Sequence, residues 1–225
     1  LPLLARDDGT GLLLPDPVYV TAMLDKLETA RRLAAAGLDH PRTVLGSEVD
    51  RWDLFPCIAK PRTGRGSRNV HLVHSAKQFS AYLGFTGLSP DDVVLQERVV
   101  GQEYTVMMAA DTDAKLRAVV PVRVDFKRGI TIRATTDADA RVLDACQAIH
   151  GALPTRGCYN IQAMLADQGR LLPFEINPRV STTLCLGLAA GVDPFSIYLC
   201  DQPGTALRDF RTGLSLQRVW TNHFS

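Results

Sequence analysis

From residue 103 to residue 176 the chain alternates short apolar runs with tight polar turns, which restricts it to folds built on an antiparallel sheet. Strands are expected over 103–109, 115–124 and 129–134, with turns at Asp111-Thr112-Asp113 and Lys127-Arg128-Gly129. Turns this short leave no room for a parallel crossover. Two further strands, 159–166 and 170–176, are joined by Asp167-Gln168-Gly169. Between these groups, residues 137–151 read as a helix with Val142, Leu143, Cys146 and Ile149 as its buried stripe. Upstream, residues 55–99 form a compact β–loop–β–α–β pattern, with Ser75 as the helix cap. Asp16-Pro17 starts a helical stretch to about residue 36, broken near Asp25, and helices are expected over 182–190 and 194–200. Leu12-Leu13-Leu14 reads as a short buried strand. The pattern is α+β, with a small insert and a larger antiparallel sheet.

Composition narrows the function. The 225 residues carry a net charge of +1, so no global field favours nucleic acid or an anionic membrane. Apolar content of 46% with 22% charged residues is that of a soluble globular protein, and no apolar run is long enough to span a bilayer. Leu1-Pro2-Leu3-Leu4-Ala5-Arg6 lacks the features of a signal peptide, and the missing initiator Met points to an upstream part outside this sequence. The five cysteines are scattered without a CxxC pair, which fits reduced thiols in a cytoplasm and argues against a zinc site.

The chemistry concentrates near the C-terminal end. In Phe174-Glu175-Ile176-Asn177-Pro178-Arg179-Val180-Ser181, a carboxylate, a carboxamide and a guanidinium alternate and would share one face of an extended strand. Carboxylate and amide oxygens suit a hard cation such as Mg²⁺, and a guanidinium suits a phosphate oxygen. The polar face of an ordinary amphipathic strand would look the same. Gln162 lies on the preceding strand, where hairpin pairing could set it opposite Glu175. With one charge among three oxygen donors, such a site would gain its ion together with phosphate oxygens.

Thr63-Gly64-Arg65-Gly66-Ser67 follows a strand ending in Lys60-Pro61. Glycines let backbone N–H groups converge on an anion, although a flexible basic hairpin tip has the same composition. Lys60 at the end of an apolar strand needs an anionic partner if buried, either a phosphate or a neighbouring carboxylate. The stretch from Gln96 to Tyr104, with Gly101-Gln102-Glu103, is either a hinge able to meet a purine edge and ribose hydroxyls or a strand with a glycine bend.

Taken in order, a Lys before a helix, a strand Lys with a Gly-rich loop, a hinge with Gly-x-Glu, a Gln strand and then Glu-x-Asn-x-Arg resemble the ATP-grasp superfamily. Within it, Asn160-x-Gln162 and Phe174-Glu-Ile-Asn-Pro-Arg-Val-Ser look most like the carbamoyl-phosphate synthetase large-subunit type; amino-acid ligases share much of the pattern. The resemblance implies an ATP-grasp fold: a remnant of an N-terminal domain and linker over 1–24, a small lid subdomain with its leading helix over 25–98, and a large subdomain carrying the Mg-ATP site over 99–225. The N-terminal domain that usually precedes the lid would be largely absent from this stretch.

It also implies roles by position. Lys26 and Lys60 match the cations on the α- and β-phosphates. Gly64, Arg65, Gly66 and Ser67 match the lid loop. Gln96, Glu97 and Val99 match the hinge around adenine, and Glu103 the ribose ligand. Gln162, Glu175 and Asn177 match the Mg²⁺ (or Mn²⁺) ligands, with Glu175 shared between two ions, and Arg179 the residue on the transferring phosphoryl group. Arg123 and Lys127 are candidate substrate contacts. The implied activity is an ADP-forming ligase in which ATP phosphorylates a carboxylate for attack by an amine. Bicarbonate activation of the carbamoyl-phosphate synthase type and a non-catalytic ATP-binding module are the alternatives. Its partners would be small-molecule carboxylates and amines in a cytoplasmic setting, with the oligomeric state open, a homodimer included.

Overall fold

A computed structural model describes residues 13–64, 66–199, 207 and 209–221. Its elements in chain order are α1 (Pro17–Leu24), α2 (Lys26–Ala35), β1 (Thr43–Leu45), β2 (Cys57–Pro61), β3 (His71–Val73), α3 (Ala76–Thr86), β4 (Val93–Glu97), β5 (Gly101–Ala110), β6 (Leu116–Arg128), β7 (Ile130–Thr136), α4 (Ala140–Ala152), β8 (Gly157–Ala166), β9 (Leu171–Asn177), α5 (Leu184–Ala189), α6 (Pro194–Leu199) and β10 (Ser215–Gln217). They form a four-stranded sheet of order β1-β4-β2-β3 and a six-stranded sheet of order β10-β7-β6-β5-β8-β9, both antiparallel throughout.

The larger sheet is covered on both faces. Val106 and Met108 of β5 join Tyr159 and Ile161 of β8 in a core closed by α1, α2 and α4. Met107 and Ala109 face the other way, into a core with Leu186 and Ile197 of α5 and α6. This is why β5 reads as a nearly continuous apolar run rather than an alternating one. The smaller sheet has its own core, built on Phe79 and Tyr82 of α3 against Cys57, Ala59 and Leu95.

Local chemistry sets the helix limits. Ser75 caps α3 by accepting from the Gln78 amide, and Gly87 closes it at φ 69°. The expected break near Asp25 is present: Asp25 is extended, ends α1 and caps α2 by accepting from the amides of Leu27 and Glu28. The stripe expected for 137–151 is the buried face of α4.

Some expectations are corrected. Leu13 and Leu14 form no strand; their backbone passes over Gly157, where a Cβ would sit 2.7 Å from the Leu14 carbonyl carbon. Leu12 and Cys200, ends of an expected strand and helix, lie outside the described residues. β1 and β10, three residues each, were not anticipated.

Candidate functional site

Two strand ends and one helix start converge on a cleft of about 580 Å³ between the sheets. The start of α2 is tied to the end of β2: the Lys26 amide donates to the Arg62 carbonyl at 3.0 Å, and the Arg62 guanidinium pairs with Asp25 at 2.7 Å. Burial works against the Asp25 carboxylate, but Arg62 and the Glu28 and Leu27 amides hold its carboxyl below the usual range. This junction brings Lys26 and Lys60 into one wall, although 34 positions separate them in the sequence.

Both lysines are buried, at 8% and 4% exposure. Lys26 Nζ lies 3.7 Å from Glu175 Oε1 and donates to the Gly64 carbonyl at 3.3 Å. Lys60 Nζ donates to Gln96 Oε1 at 2.8 Å and to the Phe174 carbonyl at 3.0 Å. That carbonyl is available because β9 bulges: Gln162 pairs with Glu175 but Ala163 pairs with Pro173, so Phe174 has no register partner. Burial brings the Lys60 pKa down to about 7; Glu175 opposes the shift, and Lys26 and Lys127 add to it. Burial is the main cause: an ammonium so far from solvent is costly even with Glu175 nearby.

Opposite this wall stand the oxygen donors. Direct pairing of Gln162 with Glu175, and of Asn160 with Asn177, places these side chains on one face of the larger sheet. Thr105 pairs with Gln162 across β5 and β8, so Glu103, two residues before it, shares that face. Gln162, Glu175 and Glu103 all line the cleft. Glu103 is held by Lys127 at 2.7 Å. Asn177 and Arg179 are not among the residues that line the cleft. Arg179 Nη2 donates to Asn177 Oδ1 at 3.3 Å and Nη1 to the Val180 carbonyl at 2.9 Å. An ion at Asn177 would take that oxygen from Arg179.

The hinge and loop complete the enclosure. Gln96, Glu97 and Val99 line the cleft with Gly64 and Ser67; Gly66 does not, and Arg65 lies outside the described residues. Gln96 acts through its side chain as well, donating to Thr43 Oγ1 at 3.0 Å while accepting from Lys60. Glu97 accepts from the Arg42 amide at 3.0 Å, which braces β1. In the loop, Gly64 (φ 140°), Gly66 (φ 73°) and Ser67 (φ 56°) adopt positive φ, which glycine takes without strain.

The sequence reading missed Ile58, Met164 and Phe174, apolar side chains that wall the cleft. Their signal was present as strand alternation, since Met164 lies two residues beyond Gln162. Arg123 is corrected. It pairs in register with Tyr104, whose ring is in the core under α4, so it occupies the face opposite the cleft and bonds Asp125 at 3.1 Å. Burial pushes the Cys57 thiol up to about 11 and the Cys158 thiol up to about 12, away from the thiolate form.

The donor chemistry fits a hard cation held jointly with an anion. Among the described residues no group of three or more His, Cys, Asp or Glu side chains gathers as a metal cage. One carboxylate with carboxamide oxygens, facing two buried ammonium groups, needs a ligand that brings further oxygen donors and negative charge.

A two-sheet clamp with a basic wall, a glycine loop and facing oxygen donors defines a nucleotide-phosphate-binding fold. The chain belongs to the ATP-grasp domain family, which matches residues 23–183. It is 26% identical over 200 residues to a D-alanine–D-alanine ligase of Anaeromyxobacter sp. (strain K), covering 79% of this chain and 65% of that protein. It is 26% identical to a carbamoyl phosphate synthase large chain of Renibacterium salmoninarum, over 93% of this chain and 21% of that protein. Among solved structures it superposes on Campylobacter jejuni biotin carboxylase with TM-score 0.73 at 13% identity, over 90% of this chain and 52% of that one. The carboxyaminoimidazole ribonucleotide synthase of Aspergillus clavatus complexed with ATP gives 0.74 at 15%, over 88% and 57%. The chain thus spans less than two thirds of each of these proteins.

Proposed function

We propose that this chain is the Mg-ATP-binding and phosphoryl-transfer part of an ADP-forming carboxylate–amine ligase acting on small molecules in the cytoplasm. The observation that carries the reading is the cleft in which paired Gln162 and Glu175 face the buried amino groups of Lys26 and Lys60. The named ligase relatives support the reaction class. No helix among the described residues is long and apolar enough to cross a membrane.

A carboxylate oxygen attacks the γ-phosphorus of ATP, the bond to the β,γ-bridging oxygen breaks, and ADP leaves with the electron pair. The amine then attacks the acyl carbon, phosphate departs, and the amine loses a proton. Such transfers depend on charge neutralisation and alignment rather than on a side-chain nucleophile. Lys26 and Lys60 hold phosphate charge, Glu103 takes ribose hydroxyls, and the 63–69 loop excludes water. Gln162, Glu175 and Asn177 would hold Mg²⁺ or Mn²⁺, which supplies Lewis acidity at the phosphate oxygens when bound. Arg179, released from Asn177 Oδ1, turns to the transferring group.

Bicarbonate in place of the carboxylate is a second reading, prompted by the carbamoyl phosphate synthase large chain among the relatives. The test is Mg-ATP-dependent phosphate release by the full-length protein across a panel of amino acids, other carboxylates and bicarbonate, with and without ammonia. Release with one acid–amine pair supports the ligase, and bicarbonate-dependent release supports the second reading. Tight nucleotide binding with no release under any condition would leave only a binding module.

A further inference from the structure

Arg218 lies outside the 23–183 family match and follows β10 at the far edge of the larger sheet. Its backbone amide donates to the Ile132 carbonyl at 2.9 Å, which extends the β10–β7 pairing by one bond. Its half-buried side chain turns back across the sheet end. Nε donates to the Thr131 carbonyl of β7 at 2.9 Å, and Nη2 donates to the Thr182 carbonyl. Nη2 also reaches Cys185 Sγ at 3.7 Å. Thr131 is the register partner of Lys127, which lines the cleft. Thr182 lies three residues after Arg179.

Among the described residues, the segment between β9 and α5 otherwise bonds to itself and to the adjoining ends of β9 and α5. Arg179 donates from its amide to the Asn177 carbonyl, Ser181 Oγ meets Thr183 Oγ1 at 2.6 Å, and the Leu184 amide donates to the Ser181 carbonyl. Among the described residues, Arg218 is the source of the hydrogen bond that ties this segment to a distant element. The rigid planar fork of a guanidinium reaches two separated carbonyls at once, which a lysine ammonium on a flexible stem does not do with the same geometry.

We propose that Arg218 is a positioning residue for phosphoryl transfer. It fixes the 178–183 segment against β7 so that Arg179, once it leaves Asn177, meets the transferring phosphoryl group. The inference rests on the reading of the cleft as a phosphoryl-transfer site. Arg218 is not among the residues that line the cleft, so its loss acts on the transition state and not on ground-state nucleotide binding.

The test compares two probes on the full-length protein: Mg-ADP alone, and Mg-ADP with aluminium fluoride as a mimic of the transferring group. In Arg218→Ala the Mg-ADP Kd is expected to stay within about twofold of wild type, while the aluminium fluoride complex weakens about tenfold or more. Arg218→Lys should fall between. Arg179→Ala should lose the same preference for the aluminium fluoride complex, and the double variant should lose little more. Thermal unfolding of each variant checks that the fold is kept. An Arg218→Ala protein whose two affinities fall by the same factor has lost only structure, and one whose aluminium fluoride complex is unchanged has lost nothing relevant; either result overturns the inference. If wild type binds no Mg-ADP, the cleft reading itself fails, a result distinct from both.

Discussion

Lys60 carries an ammonium into a place with almost no water, and its partners are a carboxamide and a backbone carbonyl rather than a carboxylate in contact. With its pKa near 7 in the free protein, against about 10.4 for an unfolded lysine, the unfolded chain binds more protons between those values. Lys60 therefore penalises folding fully below about pH 7, and the penalty fades as pH rises toward the unfolded pKa. A triphosphate beside it restores the charged form, so nucleotide binding takes up a proton and affinity falls as pH rises above about 7. Titration calorimetry of Mg-ADP at pH 8 in buffers of different ionisation enthalpy should show uptake approaching one proton, absent in Lys60→Met. Binding that is independent of buffer would remove Lys60 from the phosphate wall. Glu175 has the complementary role of supplying the one carboxylate beside both lysines. Glu175→Ala should lower Mg-ATP turnover at least a hundredfold, about 2.7 kcal/mol of transition-state stabilisation, while cooperative unfolding survives. Retained turnover would refute its assignment as an ion ligand.

Which elements the sequence displays, and which it hides, follows from how far each depends on its neighbours. The β8–β9 hairpin was legible because a short turn fixes register, but that register continued unbroken would set Gln162 opposite Phe174; the one-residue bulge at Phe174 is what moves Glu175 opposite Gln162. The helix break at Asp25 was legible from capping chemistry, whereas the docking of Lys26 beside Lys60 was not, since it depends on Arg62 reaching Asp25 across the fold. β1 and β10 were not read because three residues give little periodicity on their own; β3 is as short but stood out between the glycine loop and the Ser75 helix cap. The β9 bulge carried a signal in Pro173, tolerated because β9 is an edge strand. The hinge into β5 depends on Gly101 for a steric reason: a Cβ there would sit 2.2 Å from the Leu165 carbonyl oxygen. Gly101→Ala must push β5 from β8 at the point where Glu103 and Val99 enter the cleft. It should destabilise the protein by roughly 1–3 kcal/mol in denaturant unfolding, in the range of overpacking, and raise the ATP KM several-fold. A variant with unchanged stability and KM would show that the hinge tolerates a shift of this size.

At the scale of the whole molecule, two sheets with separate cores meet around a cleft in which Lys26, Lys60 and Lys127 face Glu103 and Glu175. Lys60 links the sheets through the Phe174 carbonyl, and Lys26 joins Glu175 of the larger sheet to the Gly64 carbonyl beside the smaller one, so a ligand that neutralises this wall stabilises both halves together. A ligand at a hundred times its Kd adds about 2.7 kcal/mol to the folded state. For a chain of this size each kcal/mol raises Tm by roughly 2–4 °C, so saturating Mg-ATP should raise Tm by roughly 5–11 °C in a single cooperative transition. The ion is part of that effect, because Glu175 is the one carboxylate in the expected donor set and Gln162 and Asn177 contribute neutral oxygens. Chelation with EDTA should therefore remove most of the shift, and Mn²⁺ should restore it, since it favours the same hard oxygen donors. A shift that survives chelation would place the binding energy on the lysines alone and deny Glu175 its ion. No shift with Mg-ATP, measured where the free protein unfolds cooperatively, would mean that the cleft takes no nucleotide, and the ligase reading would go with it.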